Sequence, residues 1–265
     1  MIDILKKIVR ISARRLGYGV LNLRQDHWPG VLLPGHLKSM LTSLSINCVV
    51  DVGANVGQYA SMLRAAGYHD RIVSIEPVPE TYERLEQAAS EDASWTTLNV
   101  ALGEQDETKL MNVFAASDLS SFLSPSVNIE VNLDNSHVTR IQPVITKRLD
   151  SIFGEIVAGI SAPRVFLKLD TQGYDLRVLK GAVESLSYVH GIQSEVSVIP
   201  LYDGMPDYLE ALTYYRQLGF EPTTFVPVVH ARHTGHVLEF DVVLRRRSSH
   251  KRAQSRQVDA DAIPP

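Results

Sequence analysis

The acidic residues that close apolar runs are where this sequence could do chemistry. Asp51 ends the run from Ile46 through Cys48, Val49 and Val50, and opens a turn containing Gly53, Asn55 and Gly57. Glu76 closes a second run, Arg71 to Ile75, and Asp170 a third, Val165 to Leu169. Glu195 falls near the end of a fourth, Gly191 to Val196. Glycines lack a Cβ, so the chain can turn sharply and a ligand can approach the main chain closely. A carboxylate ending the strand after such a turn can accept hydrogen bonds from both hydroxyls of a ribose. The spacing D-x-G-x-N-x-G differs from G-x-G-x-x-G, so a pyrophosphate cradle, and with it a nicotinamide oxidoreductase, is not expected. An acid beside the glycines instead suits a cationic or amine-bearing ligand. Asp170 and Glu195 are candidate general bases; as a pair they are alternatively oxygen ligands for a divalent cation such as magnesium. His230, His233 and His236 recur at spacing three, and His236 is carried forward as a further candidate base. They fall in an expected loop, where nothing holds them on one face, so no metal ligands are assigned.

The elements that must position these groups alternate between strand and helix, which means a parallel sheet. Strands are expected over about 46–52, 71–76, 95–102, 165–170, 191–196, 220–225 and 239–245, with a hairpin-like extension over 108–115. Helices are expected over about 37–45, 56–67 and 206–218, and after Pro79 and Leu176. His27 to His36, with Pro29, Gly30, Pro34 and Gly35, is expected to be a loop, as is 226–238. Residues 116–140 are polar and irregular, rich in Ser and Asn, and a loop of this length in a compact domain is often a cover over a ligand or else a surface insertion.

At 265 residues, 45% hydrophobic and 21% charged, the chain can bury one full α/β core. A net charge of -4 argues against a broad basic surface for nucleic acid. The single cysteine, Cys48, sits in the first strand as a core residue, consistent with a reducing cytoplasm. No apolar run approaches about 18 residues, the length that crosses a bilayer. Residues 1–24 mix Ile and Leu with Lys6, Lys7, Arg10, Arg14 and Arg15. They read either as a helix packed on the domain or a second subunit of a homodimer, or as peripheral contact with the inner face of a membrane. The domain plan is an N-terminal helical extension and loop over 1–45, a catalytic domain over 46–245 with 116–140 as an active-site insertion, and a disordered tail over 246–265.

Four stretches together resemble the FkbM family of S-adenosylmethionine-dependent methyltransferases: V-V-D-V-G-A-N-V-G-Q (49–58), I-E-P (75–77), N-V-A-L-G (99–103) and K-L-D-T-Q-G-Y-D-L-R-V-L-K-G-A (168–182). The last is the most family-specific, and it departs from the common K-x-D-x-E-G-x-E at Gln172 and Asp175. The resemblance implies an α/β fold, a doubly wound, mostly parallel seven-stranded sheet of the class I methyltransferase (Rossmann-like) type with the last strand antiparallel. It implies S-adenosyl-L-methionine as cofactor and a hydroxyl of a sugar, glycolipid or small natural product as acceptor. It implies that Gly53, Asn55 and Gly57 line the cofactor and that Asp51 helps to hold its amino-acid end. Glu76 takes the ribose, Asn99 and Ala101 flank the adenine, and Asp170 faces the acceptor. Methyl transfer to nitrogen or to a membrane lipid-linked acceptor is the nearest alternative. A non-catalytic nucleoside-binding module is the other, with Gln172 as its one sign.

Overall fold

The computed structural model describes residues 29–231 and 234–247. The basic segment 1–24, His233 and the tail beyond Arg247 lie outside the described residues.

The central strands form because short apolar runs here are bounded by turns. Strands β1 (Cys48–Val52), β2 (Arg71–Ile75), β3 (Trp95–Leu98), β7 (Val165–Leu169) and β8 (Val189–Ser197) are mutually parallel. With β9 (Phe220–His230) and β10 (Val237–Arg246) they make one seven-stranded sheet, ordered β3-β2-β1-β7-β8-β10-β9. The last strand, β10, is antiparallel to both of its neighbours, β8 and β9. A second sheet has the order β4-β6-β5, from Ala101–Leu102, Val138–Lys147 and Glu107–Phe114.

Side-chain alternation sorts each strand onto two cores. Cys48, Val50 and Val52 of β1 face one way, with Val165, Leu167 and Leu169 of β7. Helices α5 (Leu149–Ile156), α6 (Asp175–Lys180) and α7 (Tyr208–Gln217) cover that face. Val49, Ile72 and Phe166 face the other way, under α1 (Pro29–Ser43) and α2 (Gln58–Ala65). Helix α3 (Pro79–Ala89) flanks this side through Leu85 and Ala89, and the short α4 (Val127–Asn132) lies in the insertion. Both faces of the central strands are therefore covered, which is why they read as near-continuous apolar runs.

Three expectations change. The strand expected over 95–102 ends at Leu98, and Ala101–Leu102 pair in the second sheet instead. The helix expected over 37–45 begins at Pro29, and the stretch expected to be a loop forms its first two turns. Proline is tolerated at a helix start, where its missing N–H is unpaired in any case; Pro34 lies inside, at the cost of a bond. Residues expected as the loop 226–238 instead extend β9 to His230 and start β10 at Val237. Pro222 and Pro227 obscure that strand, and both are compatible with it because β9 is the edge of the sheet.

The order of strands reverses between β1 and β7, and the carboxyl ends of β1, β2 and β7 lie around that point. In open α/β sheets this switch point is where a ligand crevice forms.

Candidate active site

One residue row across the sheet builds the floor of the site. Asp51 is in register with Ser74 on β2 and Lys168 on β7, and Lys168 with Gln193 on β8. All four are buried, on the α1–α2 side, one step above the apolar row of Val49, Ile72 and Phe166. Trp95 Nε1 donates to Ser74 Oγ (2.9 Å), and Ser74 Oγ donates to Asp51 Oδ2 (3.2 Å). Lys168 Nζ donates to the Gly53 carbonyl (3.1 Å) and stands 3.3 Å from Asp51 Oδ1 and 3.2 Å from Asp170 Oδ2. The Asp51 Oδ1 contact is ionic, without hydrogen-bond geometry. Burial opposes the Lys168 ammonium, but the Asp170 and Asp51 carboxylates outweigh it and hold the lysine above its ordinary range. Burial raises Asp51, and Lys168 works against that rise. Lys168 thus ties the glycine turn to the end of β7.

Above this floor lies a cleft. Gly53, Asn55, Glu76, Ala101 and Asp170 line it, from four separate stretches of chain. Glu76 is held by two backbone donors: Asn55 N–H to Oε2 (3.0 Å) and Val78 N–H to Oε1 (2.9 Å). Burial lifts its carboxyl to about 7, against the pull of those two N–H groups. Each oxygen keeps a lone pair for a hydroxyl in the cleft. The wall beyond Glu76 is apolar, with Val100, Ala101, Met111 and Phe122. A carboxylate beside an apolar slot suits a nucleoside. The insertion forms the roof: Ser117, Asp118, Ser120 and Phe122 line the cleft, and Ser117 Oγ donates to Asn55 Oδ1 (3.2 Å).

Other candidates stand off the cleft. Asp51 is fully buried beneath the turn, reaching a ligand only through Lys168 or the Gly53 backbone. Gly57 precedes α2 with φ 87°, and a Cβ there would meet the Trp95 ring at 2.7 Å. Asn99 donates its amide to the carbonyls of Glu76 (2.9 Å) and Pro77 (3.2 Å), steadying the loop that carries Glu76. His230 ends β9 and His236 lies in the turn of the β9–β10 hairpin; both are exposed and outside the cleft lining.

Glu195 lies beside Asp170 through one side chain. Gln172 Nε2 donates to Asp170 Oδ1 (2.9 Å) and to Glu195 Oε2 (3.1 Å). Burial, then the neighbouring Glu239 and Asp170 charges, pushes Glu195 well up. The expectation that Asp170 and Glu195 pair around magnesium is not supported: the Gln172 amide occupies the space between them. Among the described residues no group of three or more His, Cys, Asp or Glu is arranged to hold a metal ion. Asp175 is locked in structure, accepting from Thr171 N–H (3.0 Å) and Ser194 Oγ (2.6 Å).

Sequence reading passed over Lys168, Phe122 and Tyr202, whose hydroxyl donates to Gln172 Oε1 (2.9 Å). A lone lysine inside V-F-L-K-L-D was a usable signal, because a charge in a buried strand needs a partner. Nothing local marks the other two.

Further along the same edge, burial lifts Glu239 to about 7 and Asp241 to about 6, while the Ser197 hydroxyl (2.6 Å) pulls Glu239 back. A carboxyl raised on folding stabilises the fold fully at low pH and loses that contribution as pH climbs from 4.5, the ordinary value, through about 7. Glu239→Gln removes this dependence. Chemical denaturation at a series of pH values should show wild type losing about 2 kcal/mol more than the variant across that interval. Parallel curves would show that Glu239 titrates normally.

Against this geometry, the chain matches the methyltransferase FkbM domain family over residues 51–222. No curated protein matches its sequence. Solved structures with related chain traces include Aeropyrum pernix fibrillarin with natively bound S-adenosyl-L-methionine (10% identity, 80% of this chain and 73% of that one, TM-score 0.43). Another is Burkholderia thailandensis 1,6-didemethyltoxoflavin-N1-methyltransferase (11% identity, 93% and 89%, TM-score 0.44). A third is an rRNA methylase from Streptococcus thermophilus (11% identity, 81% and 97%, TM-score 0.43).

Proposed function

The chain belongs to the FkbM methyltransferase domain family, and on that premise we propose that it transfers a methyl group from S-adenosylmethionine to a hydroxyl oxygen of a sugar, glycolipid or small natural product. The observation that carries this reading is that Glu76 and Asp170, from opposite sides of the switch point, line one cleft around Gly53. Glu76 is the ribose acceptor, the apolar wall at Ala101 and Met111 takes the base, and Asp170 faces the acceptor. The cofactor supplies an electrophilic methyl on a sulfonium. The chain's own contribution is to orient and to handle the proton.

An alcohol is a poor nucleophile at neutral pH and needs a base as it attacks. Asp170 is the one carboxylate of the proposed catalytic set that lines the cleft. Its Oδ2 faces the Lys168 ammonium and its Oδ1 accepts from Gln172, so its remaining lone pairs can take the hydroxyl proton. Fixing the acceptor oxygen in line with the methyl donor, with the base beside it, avoids entropy otherwise lost in reaching the transition state, worth several kcal/mol.

The test is release of S-adenosylhomocysteine from S-adenosylmethionine across a panel of hydroxylated sugars, glycolipids and natural products. Asp170→Asn keeps the shape and the Gln172 contact and removes the base. It should lower turnover by about 10²- to 10⁴-fold, the usual contribution of a positioned base, with cofactor affinity within about threefold of wild type. Full turnover in the variant would remove Asp170 from the mechanism.

A further inference from the structure

Two carboxylates that converge on one point repel unless something positive stands between them. Asp170 Oδ1 and Glu195 Oε2 converge on the Gln172 side chain, at 2.9 and 3.1 Å from its Nε2. The Asp170 carboxylate only accepts, so the amide presents its NH₂ to that side and its oxygen to the far side. The far side holds a matching donor: the Tyr202 hydroxyl lies 2.9 Å from Gln172 Oε1 and 2.8 Å from the Leu119 carbonyl oxygen. Turning the amide over would set its oxygen against two carboxylate oxygens.

The backbone is equally fixed. Gln172 has φ 52°, in the left-handed region, and its carbonyl accepts from Ser121 Oγ (2.7 Å). Gly173 follows at φ 87°, packed so that a Cβ would meet Met205 Cγ at 2.9 Å and Leu123 Cδ1 at 3.0 Å. Leu119, Ser121 and Leu123 all belong to the insertion that roofs the cleft. That roof is itself tied to the segment carrying Tyr202, by Ser126 N–H to the Leu201 carbonyl (2.9 Å) and Asp203 N–H to the Ser124 carbonyl (2.9 Å). A single residue, through its side chain and its carbonyl, therefore joins the roof, the end of β7 and the end region of β8.

We propose that Gln172 is the positioning residue of the acceptor side: its amide fills, without charge, the point where Asp170 and Glu195 converge, and so aims Asp170 with no cation between the two acids. The role of the aimed carboxylate rests on the reading of Asp170 as the group facing the acceptor. The occupancy of the point by the amide does not.

Gln172→Glu is near-isosteric, keeps an acceptor for Tyr202, and exchanges the bridging donor for a third carboxylate. Three convergent carboxylates offer the oxygen-only environment that hard divalent cations take, and affinity rises with ligand charge. Mn²⁺ is the probe, titrated by electron paramagnetic resonance over a series of neutral to alkaline pH values, because burial pushes Glu195 well above the usual carboxyl range and it must ionise to serve as a ligand. Far-UV circular dichroism accompanies each titration. Wild type should leave the ion free. Gln172→Glu should bind one ion at least about tenfold more tightly than wild type, and adding Glu195→Gln should abolish the gain. A folded Gln172→Glu without any gain overturns the proposal. So does a wild type that binds one ion which Glu195→Gln removes. Should Gln172→Glu fail to fold, Gln172→Ala removes the bridge without adding charge. It should bind Mn²⁺ more tightly than wild type, and equality with wild type overturns the proposal. S-adenosylhomocysteine titrated into the same wild-type sample reports on the proposed function separately, since its failure to bind would leave the Mn²⁺ result standing.

Discussion

Replacing Glu76 with alanine should weaken S-adenosylhomocysteine binding about a hundredfold while leaving the fold intact. The Glu76 carboxyl is buried at the proposed ribose end of the cleft, is pinned by two backbone donors, and is ionised above about pH 7. Two hydrogen bonds from a nucleoside to a charged acceptor are each worth about 1.5–3 kcal/mol, and losing both gives at least that hundredfold. The fold should survive, because Gly53 and Ala54 N–H both donate to the Ile75 carbonyl (3.0 Å each) and keep the turn closed against β2 without Glu76. Glu76→Gln separates charge from shape. It should recover part of the loss, since an amide oxygen still accepts one hydroxyl. Isothermal titration of the three proteins measures this. Equal affinities across the set would take Glu76 out of the ribose site.

Gly53→Ala should be among the most destabilising single changes in the chain. Gly53 has φ 73°, a conformation that costs an L-residue roughly 1–2 kcal/mol. A Cβ there would sit 1.9 Å from the Asp170 carbonyl oxygen and 2.9 Å from its carbon. Both are backbone atoms, so the ends of β1 and β7 would have to separate at the point where Lys168 joins them. A loss above about 4 kcal/mol is expected, or more than about 10 °C in melting temperature for a domain of this size. Gly235→Ala is the control. Gly235 has a similar φ of 70° with nothing among the described residues within 4 Å of its Cβ position, so it carries the conformational cost alone. Thermal unfolding of the two variants should differ by the cost of the collision; equal midpoints would show that the turn yields easily.

The central strands were legible because burial on both faces leaves unbroken apolar runs, and each run stops where the chain reaches the ligand edge. That stop is an acid in β1, β2 and β7, which is why Asp51, Glu76 and Asp170 stood out. Their separate duties were not legible. Asp51 and Asp170 both end apolar runs, yet one is buried beneath the turn and the other opens on the cleft, because Asp51 pairs with Lys168 inside the sheet and Asp170 lies two residues beyond that pairing, past the end of β7. What escaped depends on partners distant in sequence. Gln172 was visible as a change of charge, but its meaning comes from Glu195 and Tyr202, which arrive on later elements. Helix α1 and the end of β9 were hidden by prolines, read locally as breakers and tolerated at a helix start and a sheet edge. The roof over 116–140 has no periodicity of its own. Its order comes from contacts with 199–205, of the kind that Ser126 and Asn128 make with the Pro200 carbonyl.

Calorimetric titration of wild-type protein with S-adenosylmethionine and S-adenosylhomocysteine tests the central claim most directly. One site of micromolar affinity is expected for each, about −8 kcal/mol, with the same affinity in the presence of excess chelator. A folded protein that takes up neither ligand would contradict it.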